Sequence, residues 1–216
     1  MGAILPIFWL SCLHLSVCAQ TKDASQPKIS VTKIDGVVPA NDAHIVEYHV
    51  DTAAPGSGYE TGSLHITYSN KTELVVKVPP KEKNAADNIV SNEEGITSPK
   101  MAADKRTIAW TEQFDNFNSY TTPRVLAIYR SGKNIVNIQQ GQMVWGWMFC
   151  DDGKHVAAVW GPVHFSDIGD YQLYDTETGH MIDEVVADAE VEGKDGTVHG
   201  LGTDAPAWAK ELEKQR

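Results

Sequence analysis

The chain reads as an all-β protein of about three antiparallel, propeller-like blades in an incomplete ring, followed by one C-terminal helix. Three observations predict this. Ten short β-type runs succeed one another between turn residues from His44 to Val186. Two of the stretches repeat each other, with Asp104 and Asp152 48 positions apart and Gly132 and Gly179 47 apart. The segment from Asp204 to Arg216 carries the one clear helical pattern.

Composition supports a folded chain. Its 216 residues are 42% apolar and 22% charged, with six Trp, five Phe and seven Tyr, which is too aromatic and too lightly charged for general disorder. Length allows one core and leaves little room for a second. With 18 Lys+Arg against 29 Asp+Glu, the net charge of −11 excludes nucleic acid and anionic lipid surfaces as partners, since both reward clustered cations.

Residues 1–19 read as a signal peptide: Ala3 to Val17 is almost wholly apolar, and Val17-Cys18-Ala19 suits signal peptidase, placing cleavage after Ala19. No Lys or Arg precedes the apolar run. An uncleaved anchor is the competing reading, but about 17 apolar residues are at the short limit for spanning. A lipidated Cys18 fits less well, because Val17 is large for the preceding position. No second apolar run of membrane length follows, so the mature chain is expected to be soluble, secreted or periplasmic, with no membrane span. Cleavage removes Cys12 and Cys18 and leaves Cys150 without a disulfide partner, so the core must carry the stability.

Residues 20–42 form a polar lead-in, with at most one short edge strand between Lys28 and Val38. The β-type domain spans 43–203. Its expected strands are His44 to Val50, Ser63 to Ser69, Glu73 to Val78, Arg106 to Glu112, Arg124 to Arg130, Asn134 to Ile138, Met143 to Phe149, His155 to Trp160, Tyr171 to Asp175 and Met181 to Val186. Pro79 to Glu94, with Pro-Pro, mixed charge and Asn, reads as a surface loop with room for a short helix at Asn84 to Val90. The sequon Asn70-Lys71-Thr72 reads as a hairpin turn. In the helix of 204–216, Asp204 suits the cap, Pro206 the first turn, and Trp208 with Leu212 an apolar i,i+4 pair.

The repeat sets the architecture. The first copy runs from Asp104-Lys105-Arg106-Thr107-Ile108-Ala109-Trp110 to Val125 through Ile135; the second runs from Asp152-Gly153-Lys154-His155-Val156-Ala157-Ala158 to Tyr171 through Ile182. Trp147-Met148-Phe149-Cys150-Asp151-Asp152-Gly153-Lys154-His155-Val156-Ala157, with Leu173-Tyr174-Asp175-Thr176-Glu177-Thr178-Gly179, resembles the blade of the TolB-like, WD-related β-propellers. Cys150 and Asp151 depart from that pattern, where Ser and Pro are usual, and the first copy has Ala103-Asp104-Lys105 without Gly. The resemblance covers roughly Ile96 to Val186, with Ser63 to Val78 as a remnant of an earlier blade. Closed propellers have about four to eight blades. Either the blades stack openly with the helix over one edge, or two chains associate. Bare terminal faces carrying Val125, Ala127, Val156 and Ala158 would then be covered by the lead-in or by a homodimer partner.

No catalytic signature is present: there is no Gly-x-Ser-x-Gly, His-Glu-x-x-His or Gly-rich phosphate loop. Cys150 precedes Asp151 and Asp152, whose charge opposes thiolate formation, and reads as structural. His44, Glu47 and His49 read as surface or strand residues, because strand positions five apart face opposite ways. Asp151, Asp152, Asp167, Asp170 and Asp175 lack Ca²⁺-loop spacing and read as turn formers. No metal site and no cofactor is expected. Two equivalent loops, Gln113 to Thr122 and Gly161 to Gly169, interleave aromatics with Asn, Asp and Ser. They supply the candidate binding residues Phe114, Asp115, Phe117, Tyr120, His164 and Phe165. The expectation is an exported, non-enzymatic binding module for a protein, cell-envelope component or glycan. The alternative is a glycan- or peptide-acting hydrolase or accessory subunit using Glu112 and Asp115.

Overall fold

A computed structural model of the chain describes residues 26–34, 43–51, 62–77, 93–115, 121–162, 169–187 and 201–215. The expected signal segment, most of the 79–94 loop, and Phe117, Tyr120, His164 and Phe165 lie outside the described residues.

The strands form three antiparallel sheets, none closed on itself. The first is the meander β2 (Ile45–Val50), β3 (Leu64–Tyr68) and β4 (Glu73–Val76). The second is the meander β5 (Glu93–Met101), β6 (Thr107–Asp115), β7 (Thr121–Arg130) and β8 (Ile135–Gln139), with β1 (Lys28–Thr32) added antiparallel at the β8 edge. The third is the meander β9 (Met143–Cys150), β10 (His155–Gly161), β11 (Asp170–Asp175) and β12 (Met181–Val186). One helix, α1 (Ala207–Gln215), follows. Each of the ten expected runs forms a strand, and the lead-in supplies its short edge strand as β1. Missed was β5, whose first two residues had been assigned to the loop.

Strand alternation turns these sheets into layers. In β6, Ile108 and Trp110 face the first sheet while Ala109 faces the third; in β7, Ala127 and Tyr129 face the first and Leu126 and Ile128 the third. In β10, Val156, Ala158 and Trp160 face the second sheet, and Ala157 and Val159 turn toward α1. Both faces of the middle sheet are therefore apolar, which is why β6 and β7 read as near-continuous apolar runs. Trp110 and Trp160 are fully buried in adjacent layers, and truncating either to Ala would cost about 3–5 kcal/mol. Polar ties cross the layers too. The Tyr68 hydroxyl donates to that of Tyr129 at 2.8 Å, and burial together with this bond pushes the Tyr68 pKa up. Gln140 donates to Gln172 and, at 3.1 Å, to the Tyr174 hydroxyl.

The repeated turns match in backbone. Lys105 (φ 53°) and Gly153 (φ 86°), 48 positions apart, both take the left-handed conformation that lets β5 reverse into β6 and β9 into β10. Asp104 holds the first turn by accepting from the amides of Arg106 and Thr107 at 2.8 and 2.9 Å. The second turn has no room for a side chain, since a Cβ on Gly153 would lie 2.5 Å from that of Ala102. The Asn70-Lys71-Thr72 segment is the β3–β4 turn, with Asn70 Oδ1 accepting from the Thr72 amide at 3.0 Å.

The ends of the stack correct the expectation of bare apolar faces. Val125, Ala127, Val156 and Ala158 are all buried, and Ala127, Val156 and Ala158 lie between layers. Ala209 and Leu212 of α1 cover the outer face of the third sheet, with Trp208 at the rim donating from Nε1 to Asp183 at 3.1 Å. The buried stripe is thus Ala209–Leu212 rather than Trp208–Leu212. The outer face of the first sheet is mostly polar, because alternation places Glu47, His49, Asp51, His65 and Glu73 there, with Val75 the exposed apolar residue among them. The described part of the lead-in, residues 26–34, lies at an edge as β1, with Ile34 packed against the core.

Candidate functional site

A groove of about 310 Å³ opens between the second and third sheets and is bounded on one side by the end of α1. Its two walls are the edge strands β5 and β9, and both are irregular where they meet it. In β5 the ladder shifts register between Thr97 and Lys100, with Ser98 at φ 50°. Pro99, which has no amide to offer a partner, is tolerated at this bulged edge. In β9, Gly146 stands opposite Val159 but Val144 opposite Trp160, so Trp145 is the extra, bulged residue. A Cβ on Gly161 would lie 2.2 Å from the Trp145 ring, so that glycine clears the space the indole fills.

These bulges aim Lys100 and Trp145 into the groove. The Lys100 ammonium sits 4.7 Å from the Trp147 ring centroid and donates to the Trp147 carbonyl at 2.9 Å. Burial lowers the Lys100 pKa from its ordinary value. Thr97 and Thr111 share a hydroxyl bond of 2.9 Å on the same wall as Lys100, and Gln113 and Gln215 add amides. No carboxylate, imidazole or thiol is among the described residues lining this groove. A second hollow shares Lys100 and Gln215 and is lined also by Asp151 and Asp152. The Asp151 carboxylate meets His155 Nδ1 at 2.8 Å.

The sequence-derived candidates fall partly beside this groove. Gln113 to Asp115 and Thr121 to Thr122 belong to the β6–β7 ladder, with Phe114 opposite Thr122 and Asp115 opposite Thr121, so the first loop is shorter than expected. Gln113 and Pro123, which flank it, line the groove, while Phe114 is half-buried and does not. Phe117, Tyr120, His164 and Phe165 lie outside the described residues, so their relation to Phe114 and Asp115 is undescribed. Glu112 is half-buried and accepts from Trp110 Nε1 at 3.4 Å. The Cys150 thiol is pushed up, first by burial and then by the Asp151 charge, in line with a structural role.

On the outer face of the first sheet lies a cluster built around His49, which the sequence sets aside with His44 and Glu47 as a surface or strand residue, and its partners Asp51 and His65. His49 stands opposite His65 in the β2–β3 ladder, and their rings stack at 4.7 Å with 8° between planes. His65 is bracketed by two carboxylates, with Nδ1 2.8 Å from Glu73 and Nε2 3.0 Å from Asp51. The bond to Glu73, then that to Asp51, raises the His65 pKa. Glu47-x-His49-x-Asp51 was legible as one face of a strand, but the partner His65 depends on a register that no local motif reveals.

Among the described residues no helix is long and apolar enough to cross a membrane, which says nothing of a β-barrel. No protein-family model matches the chain, and the search of curated proteins returns no match.

Proposed function

We propose that this chain is an exported, non-enzymatic binding module whose stacked sheets are propeller-like blades, and that it holds a glycan or other polar envelope component bearing an anionic group in the groove between the second and third blades. The observation that carries this reading is the pair of bulges in β5 and β9, which bring Lys100 and Trp145 to one groove. Bulges re-aim side chains at the cost of ladder hydrogen bonds, so two of them facing one hollow favour a built site over an accident of packing. A cation, indole faces, hydroxyls and amides suit a ligand that stacks, accepts hydrogen bonds and carries negative charge. Lys100 is engaged by the Trp147 carbonyl, and the described lining holds no carboxylate or imidazole to exchange a proton with it, which favours holding over turnover. The blade assignment rests on three successive meanders and on the repeated turn at Lys105 and Gly153; the export assignment rests on residues 1–19.

A glycan array rich in uronic and sialic acids tests this, run beside glycosidase and peptidase panels. Binding should weaken about tenfold in Lys100→Ala, as for loss of one charge-assisted hydrogen bond, and also fall in Trp145→Ala. Turnover abolished by Glu112→Gln or Asp115→Asn would overturn the reading in favour of a hydrolase. Intact mass from the native host should begin at Gln20; Met1 retained would remove the export assignment.

A further inference from the structure

We propose that His49, Asp51 and His65 form a binding site for one divalent metal ion of the zinc class on the outer face of the β2–β4 sheet, with Glu73 orienting His65 from behind. This site is separate from the groove, because the β5–β8 sheet packs against the opposite face of β2–β4 and stands between them.

The placement follows from the ladder. Asp51 directly follows β2 and its amide still bonds the Ser63 carbonyl at 3.0 Å, so it continues the strand and shares the outward face with His49 two positions before, while the register sets His49 directly across from His65. The candidate donor atoms of His49, Asp51 and His65 all lie within 4.8 Å of one another. A tetrahedral ion with bonds of about 2.0–2.2 Å needs its donors roughly 3.3–3.6 Å apart. His65 Nε2 and Asp51 are already 3.0 Å apart, and the exposed His49 and Asp51 side chains can turn to close the rest.

The second contact of His65 gives the site its chemistry. When the ring is neutral and Nδ1–H donates to Glu73, the Nε2 lone pair faces the Asp51 carboxylate, and either a proton or a cation must lie between these two electron-rich atoms. A cation between them removes the conflict. A carboxylate on the far nitrogen of a ligating imidazole is also the usual support of a metal-bound histidine, fixing its tautomer and raising its basicity. Charge favours the same occupant. With neutral imidazoles, Asp51 and Glu73 contribute two negative charges that a divalent ion balances, whereas one extra proton on His65 leaves the cluster negative. Two imidazoles and one carboxylate suit zinc better than Ca²⁺ or Mg²⁺, which prefer all-oxygen sets. The exposure of His49 and Asp51 leaves the remaining coordination to water.

The test uses untagged full-length protein, stripped with chelator and dialysed, with thiols alkylated so that no cysteine competes. Calorimetric titration with Zn²⁺ should give one ion per chain, weakened at least about tenfold by His49→Ala, His65→Ala or Asp51→Asn, and about tenfold by Glu73→Gln. Circular dichroism should stay unchanged, since these side chains pack against no core. On the unmutated protein, nitrogen NMR of the imidazoles should show the His65 Nε2 resonance moving on Zn²⁺ addition. Unaltered Zn²⁺ affinity in His65→Ala and Asp51→Asn, an unmoved His65 resonance, or no binding at micromolar Zn²⁺ would each overturn the proposal.

Discussion

Gly161 shows how one residue without a side chain sets the geometry of the groove. It ends β10 where the Trp145 ring lies against the backbone, and any Cβ there would lie inside the ring's contact distance. Gly161→Ala must therefore drive the indole from its place, an overpacking of about 1–3 kcal/mol. The expected outcome is a shift in tryptophan emission and a loss of groove binding like that of Trp145→Ala, with far-UV circular dichroism retained. Emission and affinity both unchanged would show that Trp145 is held by other neighbours. At this scale the sequence was least informative. Gly161 was noticed as the first residue of a loop, and Lys100 and Trp145 were not singled out at all. What makes them site residues is a register shift in each strand, and a shift of one position leaves no trace in composition or spacing. The aromatic-rich loops were visible, yet Phe114 and Asp115 were assigned to a loop when they extend a strand, because Asn, Asp and Ser nearby masked the continuing ladder.

Elements were far more legible, for a physical reason. A strand buried on one or both faces must write its alternation or its apolar run into the sequence, and all ten runs that did so became strands. The strand that was missed, β5, sits at an edge and contains Gly95 and Pro99, residues that a central strand rejects and a bulged edge accepts. The β11–β12 hairpin was read correctly down to its turn, and Asp175 explains why. Its Oδ1 accepts from the Glu177 amide at 3.1 Å and from the Thr178 amide and hydroxyl at 2.8 and 2.7 Å. Burial pushes this carboxyl up, but the Thr178 and Glu177 bonds outweigh it and hold the pKa below the ordinary 3.8. The folded pKa is depressed, so the contribution to stability is complete above the unfolded value and vanishes as pH falls through the folded one. Carbon NMR of the Asp175 carboxyl should report a midpoint below that of an unstructured Asp. Asp175→Ala should cost about 1 kcal/mol in urea unfolding at neutral pH, and this difference should shrink below pH 3.8. A cost that stays constant through that range would show that the hairpin does not depend on the charged form.

For the whole molecule, stacking rather than ring closure organises the core. Each sheet packs only on its neighbours, as in repeat proteins, so the two ends of the stack decide whether the surface is tolerable to water. They are finished differently. One end is polar by strand alternation, with Glu47, His49, Asp51, His65 and Glu73 facing outward. The other is apolar and depends on α1: Met148, Ala157, Val159, Tyr171 and Leu173 would face solvent if Ala209 and Leu212 were withdrawn. The expectation was that the helix covers one end and that either the lead-in or a second chain covers the other, but the end away from α1 carries a mostly polar face. The full chain should therefore sediment as a monomer at micromolar concentration, while a chain ending at Thr203 should self-associate through the uncovered face of β9–β12. Leu212→Ala separates loss of cover from loss of chain: it should destabilise by about 2–5 kcal/mol while the helix still shields most of the face, so it should remain monomeric. A truncated chain that stays monomeric and folded would show that α1 is not what keeps the third sheet from water. A full chain that dimerises would instead locate a contact elsewhere, for which the exposed Ile29 and Val31 of edge strand β1 and Ile182 and Val186 of edge strand β12 are the first places to substitute.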